Sequence, residues 1–259
     1  MSISGSAFDA ALPPLTGGCA QLRLAPGPDA PGPTVWINRP QATRPPKGWP
    51  TLIILEGEAY FTAAAEMAQR LARRSAKTRI EPMMVVGLAL DHNVHRQSSF
   101  SFAPEPERPD GLTGGQSLLH RLSGQLLGLI DAEGGDTTRL TLVGHSMSGQ
   151  FVLEARALAA PFARYVAVSP SIWSNPSVVA AQPERSSDDA DDLFVVVGGQ
   201  EETSGLDQAH LARRMISNAR GLLGKGGVRL EVLDSEDHGS APYASLPAAL
   251  RFASEPWRA

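Results

Sequence analysis

A chain of 259 residues with 42% hydrophobic and 19% charged side chains can close a core, which excludes disorder and a continuous coiled coil. Its formal charge of -4 offers no basic field to a phosphate backbone, so nucleic acid is not expected as a partner, and one cysteine, Cys19, excludes an intrachain disulfide framework or a cysteine metal cluster. No apolar stretch approaches the roughly 18 residues of a membrane span, and the first ten residues lack a signal-peptide pattern, so a soluble, cytoplasmic protein is expected.

The 25 glycines and 21 prolines, about 18% of the chain against roughly 12% in average usage, predict many short elements and disfavour long helices. In chain order, QLRL at 21–24 and TVWI at 34–37 alternate in polarity and read as an edge hairpin spanning about 19–40. TLIILE at 51–56 is a nearly continuous apolar strand, followed by a helix over Thr62 to Ala76 and a strand MMVVGLAL at 83–90. After a long loop from Asp91 to Gly114 come a helix over Gly115 to Asp131, the strand RLTLVG at 139–144, and a helix over Met147 to Ala160. YVAVS at 165–169, an acidic loop from Ala181 to Asp192, LFVVVG at 193–198, a helix over Leu206 to Leu223, RLEVLD at 229–234 and a helix over Ser245 to Ala253 complete the pattern. Strands alternating with helices predict an α/β fold. One mostly parallel eight-stranded sheet is flanked by helices in a single domain over 1–259, with its core at about 51–253.

The segment Gly144-His145-Ser146-Met147-Ser148-Gly149 lies between an apolar strand and a helix-forming run. In that context a G-x-S-x-G-like turn presents its serine on strained backbone, and only small neighbours fit where strand meets helix. Ser146 is the candidate nucleophile, although Ser148 stands where glycine is usual. Such a turn can also simply cap a helix or hold an anion.

A hydroxyl nucleophile needs an imidazole to move its proton and a carboxylate to fix the imidazole tautomer. Of six histidines, His120 and His210 fall in helical patterns, and His145, inside the elbow, is expected to point elsewhere. His238 follows the last strand and is therefore expected at the same sheet edge as the elbow, where open α/β sheets place their sites. It is the candidate base. The acid is expected after LFVVVG, where Glu201 is preferred, Glu202 is a near rival and Asp207 a distant one. For the oxyanion, the backbone amides of Met147 and, after the third strand, Glu58 are the candidates. Asp91, His92 and His95 have a tempting metal spacing but no convincing third and fourth ligands, so neither metal nor cofactor is expected.

With these parts in place the sequence resembles the α/β-hydrolase esterases of the enterochelin (ferric siderophore) esterase and esterase D type. LEGEAYF resembles the family's Leu-Asp-Gly turn, with Glu56 where aspartate is usual. GHSMSG resembles the elbow, SPSIW (Ser169 to Trp173) the segment after the sixth strand, and GGQEE with DHGS the acid and histidine loops. The resemblance implies a single-domain α/β-hydrolase fold and hydrolysis of catecholate siderophore lactones, with Arg96 and Trp173 facing the substrate; the family's usual ending of the Arg96 segment is here replaced by Phe100 to Pro104. Only Pro170 to Asp192 separate the sixth and seventh strands, too few for a large cap domain, so an open site is expected. The expectation is a serine carboxylic ester hydrolase acting on a small-molecule ester. The alternatives are a small-acyl esterase or thioesterase of the S-formylglutathione hydrolase kind and a non-catalytic binding module. The oligomeric state is left open.

Overall fold

A computed structural model describes residues 19–25, 32–90, 96–103, 111–186, 190–202 and 208–256. Eight strands form one sheet: β1 (Cys19–Arg23), β2 (Thr34–Asn38), β3 (Trp49–Leu55), β4 (Met84–Ala89), β5 (Gly135–His145), β6 (Arg164–Val168), β7 (Leu193–Gly198) and β8 (Val228–Leu233). Their spatial order is β1-β2-β4-β3-β5-β6-β7-β8. β1 pairs antiparallel with β2 and β2 with β4, while every pairing from β4 to β8 is parallel. This is the mostly parallel α/β-hydrolase sheet, with its edge hairpin, that the alternating and then continuous apolar runs predict.

Burial follows position in the sheet. Every residue of β3, β4, β6 and β7 is buried, because helices cover both faces, whereas the edge strands β1 and β8 are half-exposed. On one face Leu52, Ile54, Val85 and Val166 share a core with Leu246 and Leu250 and with α1 (Gly57–Ala72), which presents Phe61, Ala64, Ala65 and Ala68 at helical spacing. On the other, Ile53, Val86 and Leu142 pack under Phe151 and Leu153 of the Met147–Ala157 helix and under Leu118, Leu122 and Ile130.

Several helix boundaries differ from the sequence reading. α1 starts at Gly57, not Thr62, because Glu56 takes a left-handed conformation (φ 57°, ψ 47°) that turns the strand straight into the helix. At 16 residues it is also longer than the glycine and proline content suggests. The segment from Gly114 begins on a capping box, Thr113 with Gln116, and runs through a π turn at Leu122–Leu126 to Ala132. The expected helix over Leu206 to Leu223 is broken into Gln208–Leu211 and Met215–Arg220 by Arg214 at φ 49°, and ends in a 3₁₀ turn, Gly221–Lys225. Asp91, His92, His95 and Asp207 lie outside the described residues, as does the side chain of Arg96, which opens a short helix, Arg96–Phe100. Among the described residues no large cap domain sits between β6 and β7, where the chain forms a 3₁₀ turn, Ile172–Ser174, and a short helix, Ser177–Ala181. Among the described residues no helix is long and apolar enough to cross a membrane.

Candidate active site

β3 has β4 on one side and β5 on the other, so the chain changes direction between these strands, and the crevice at their carboxyl ends is the expected ligand position. β5 ends at His145 and the Met147–Ala157 helix begins two residues later. Ser146 between them has φ 60° and ψ -116°, a strained backbone that the surroundings hold in place. Its N–H donates to the Val168 carbonyl (3.0 Å), and its own carbonyl accepts the N–H groups of Gln150 (2.9 Å) and Ser171 (3.0 Å). Gly144 is obligatory: a Cβ there would lie 2.3 Å from the Ser148 carbonyl oxygen.

Ser148, the departure from the usual elbow, is the second residue of the helix, has no positive φ and is fully buried. Its hydroxyl accepts the His145 N–H (2.8 Å) and donates to Glu56 Oε2 (2.7 Å). Two of the residues that depart from the resembled pattern, Glu56 and Ser148, are therefore bonded to each other, and they tie the β3 turn to the elbow.

The ring of His238, in the loop after β8, bridges Ser146 and Glu201. Glu201 Oε2 lies 2.7 Å from His238 Nδ1, and Ser146 Oγ lies 3.1 Å from His238 Nε2. An ionised carboxylate can only accept, so Nδ1 carries the hydrogen, and Nε2 is left with a lone pair for the Ser146 O–H. Glu201 is 1% exposed, and its other oxygen accepts the Ser169 hydroxyl and the Gly198 N–H (3.0 Å). Burial alone would raise its carboxyl. The hydrogen bonds from His238 and Ser169, the His238 charge and the Gly198 amide outweigh that and hold it below the usual glutamate range. Glu202 turns instead to Ser217, accepting its N–H (3.0 Å) and its hydroxyl (3.1 Å).

Ser146 is half-buried and so reachable from outside. Met147 opens one helix, and Glu58 is the second residue of α1, where backbone N–H groups have no carbonyl one turn back within the helix. Both helix starts face the crevice with the positive end of a helix dipole. Trp173 is 39% exposed, and the guanidinium of Arg213 sits 5.1 Å from its ring centre.

Four contacts were not legible in the sequence. Ser169 holds Glu201, and Ser171 Oγ stands 3.3 Å from Ser146 Oγ, so both serines of the SPS segment face the site. His145 corrects the expectation that it points elsewhere: its ring lies 4.7 Å from that of His238, and its Nε2 is 2.8 Å from the His238 carbonyl oxygen. Tyr60 Oη is 3.0 Å from His145 Nδ1. The GHS and EAY tripeptides carried the only trace of this pair, since the partners are 85 and 93 residues apart.

His145 is lowered from 6.5 to about 4, chiefly by burial and then by the charge of His238. Between those values the unfolded chain binds a proton that the folded ring refuses, so stability falls as pH drops through the interval and is restored above it. The loss is expected to reach about 3 kcal/mol. Urea unfolding at neutral pH and near pH 4 checks it: the difference between the two should shrink by most of that amount in His145→Gln, and an unchanged difference would refute it.

The family model described as "Putative esterase" matches residues 32–221. The chain is 28% identical over 252 residues to the ferri-bacillibactin esterase BesA of Bacillus subtilis (strain 168), an alignment covering 86% of this chain and 84% of the relative. Among solved structures it is similar to the siderophore hydrolase EstB from Aspergillus nidulans (TM-score 0.74, 23% identity, 97% of this chain and 99% of the other). It is also similar to the BES protein from Bacillus cereus (TM-score 0.73, 22% identity, 96% and 99%). At these identities the structural likenesses show a shared fold.

Proposed function

The chain belongs to this esterase family, and from that premise we propose that it hydrolyses carboxylic esters through Ser146, His238 and Glu201, with a siderophore lactone as its substrate. The observation that carries the mechanism is the His238 ring bonded to Glu201 on one side and Ser146 on the other. Ser146 Oγ attacks the ester carbonyl carbon while His238 Nε2 takes its proton; the carbonyl oxygen becomes an oxyanion facing the amides of Met147 and Glu58. Each such donor contributes roughly 3 kcal/mol to the transition state. As the tetrahedral intermediate collapses, the C–O bond to the alcohol breaks and His238 returns the proton to the leaving oxygen, which leaves Ser146 acylated. Water then repeats the sequence: His238 takes its proton, the hydroxyl attacks the acyl carbon, and Ser146 leaves with the proton restored. Throughout, the Glu201 carboxylate keeps Nδ1 protonated and offsets the charge of the imidazolium.

The substrate reading rests on the relatives named for siderophore esters and on the shape of the rim. Among the described residues no cap domain covers Ser146, so a bulky ring can approach it, and the half-exposed Trp173 under the Arg213 guanidinium offers an aromatic, cationic surface suited to acidic aromatic rings. A chromatographic assay of apo and ferric catecholate trilactone beside p-nitrophenyl acetate and small thioesters tests it. Ring opening is expected with kcat/KM at least about tenfold above the small thioesters, the scale of a few pocket contacts. A trilactone that stays whole while thioesters turn over quickly would move the protein to small-acyl chemistry of the S-formylglutathione hydrolase kind. No turnover of any ester would leave a binding module.

A further inference from the structure

The loop that carries His238 is exposed, and much of its bonding is local. Asp237 Oδ1 accepts the N–H groups of Gly239 and Ser240 (both 2.9 Å), and the Glu236 carbonyl accepts the Gln200 N–H (3.0 Å). These bonds shape the loop and fasten it to the turn of Glu201. They do not fix its distance from the proposed nucleophile, Ser146, which stands in the turn just past the end of β5. A bond from the end of β5 does reach across: the ring of His145, the residue before Ser146, meets the backbone carbonyl of His238.

We infer that His145 is a positioning residue, a strap whose neutral ring, held by Tyr60, sets the distance between His238 and Ser146. This rests on the proposed roles of Ser146 and His238. A carbonyl oxygen only accepts, so His145 Nε2 carries the hydrogen and donates it, and Nδ1 must accept, which makes the Tyr60 hydroxyl the donor. One tautomer satisfies both bonds: the His238 carbonyl selects it, and the Tyr60 hydroxyl, donating to Nδ1, holds the ring in the orientation that delivers the Nε2–H. Tyr60 itself is braced: its ring meets His145 edge-on (5.9 Å) and Tyr243 edge-on (5.2 Å), and the Tyr243 hydroxyl donates to the Ala59 carbonyl (3.3 Å). The strap therefore runs from α1 through Tyr60 and His145 to the His238 loop. The His145 ring also packs against that of His238, 4.7 Å between centres and tilted by 44°, which limits how far the His238 ring can swing off the line to Ser146 Oγ.

Burial keeps the strap uncharged across the range in which an esterase works, since the His145 pKa is lowered to about 4. This matters during turnover. His238 becomes an imidazolium when it takes the serine proton, and a second positive ring at that separation would oppose the transfer, whereas a neutral ring does not.

The test compares wild type with Ser146→Ala, His145→Leu, His145→Gln and Tyr60→Phe on p-nitrophenyl acetate, measuring kcat, KM and the acylation burst together with the melting temperature. His145→Leu fills the space and removes the donor, and it is expected to lower kcat and the burst rate about ten- to a hundredfold with KM little changed, the scale of a misplacement near 1 Å. Glutamine places its amide N–H near the position of Nε2 and is expected to recover activity to within about threefold of wild type. Tyr60→Phe removes the bond at Nδ1 and lets the His145 ring turn away from the His238 carbonyl, and kcat should fall at least about threefold. An unchanged kcat in His145→Leu overturns the inference. So does a folded His145→Gln that is as slow as His145→Leu, because the hydrogen bond would then be irrelevant. If His145→Leu fails to fold, Tyr60→Phe decides: an unchanged kcat there overturns the strap. Activity surviving in Ser146→Ala is a separate outcome that removes the proposed roles themselves.

Discussion

Ser146→Ala is expected to lower kcat/KM for every ester the protein turns over by about 10⁴- to 10⁶-fold, because the nucleophile and its base act as a unit and losing either forfeits nearly the whole covalent route. The residue left behind, the amides of Met147 and Glu58, can still polarise a carbonyl and supplies what remains. Steady-state rates on p-nitrophenyl acetate and mass spectrometry of the quenched protein check this: wild type should carry an acyl adduct on Ser146 and the variant none. More than about 1% residual activity would place the nucleophile elsewhere. The backbone adds a second readout. Ser146 holds φ 60° and ψ -116°, and strain of this kind costs on the order of 1–3 kcal/mol. Alanine keeps that strain, whereas Ser146→Gly relieves it. Ser146→Gly should therefore melt higher than Ser146→Ala although both are inactive.

The second large effect separates two adjacent carboxylates. Glu201→Gln is expected to reduce kcat by about 10⁴-fold, because an amide can turn its NH₂ toward His238 Nδ1 and drive the ring into the tautomer that cannot accept the serine proton. Glu202→Gln should leave kcat within about twofold, since its partner is Ser217 and not the imidazole. Equal effects in the two variants would refute the assignment. The same carboxylate has a pH signature. Glu201 is held below its ordinary value in the folded protein, so its contribution to stability is fully present above the ordinary glutamate pKa and is lost as pH falls toward its folded value. Melting curves at acid pH should therefore fall more steeply for wild type than for Glu201→Gln.

The sheet was readable because β3, β4, β6 and β7 are buried on both faces, and a strand in that position can tolerate little but apolar residues. Ser146 stood out for a related reason: the turn from strand to helix brings Gly144 against the Ser148 carbonyl, and close packing leaves a trace of small residues. The sequence prefers Glu201 but leaves Glu202 a near rival, because one residue of rotation in the 3₁₀ turn Gly199–Glu202 exchanges their directions; burial and the donors Ser169 and Gly198 favour Glu201. The sequence puts the start of α1 at Thr62 because a left-handed glutamate is rare and GEAYF has no residue that announces one. The contacts of His145, Tyr60 and the two SPS serines are not legible in the sequence, for a different reason. Each residue acts through a contact made across the fold, and spacing along the chain is silent about such partners.

The bond between Glu56 and Ser148 constrains how this protein can change. Either residue replaced alone by its more usual counterpart meets a neighbour shaped for something else: glycine at 148 withdraws a hydroxyl from a buried carboxylate, and aspartate at 56 shortens the reach to that hydroxyl by one methylene. Changed together, they could return to the common form. The two sites are thus coupled, each making the other's reversal costly, and the double substitution should destabilise the protein by less than the two single ones summed.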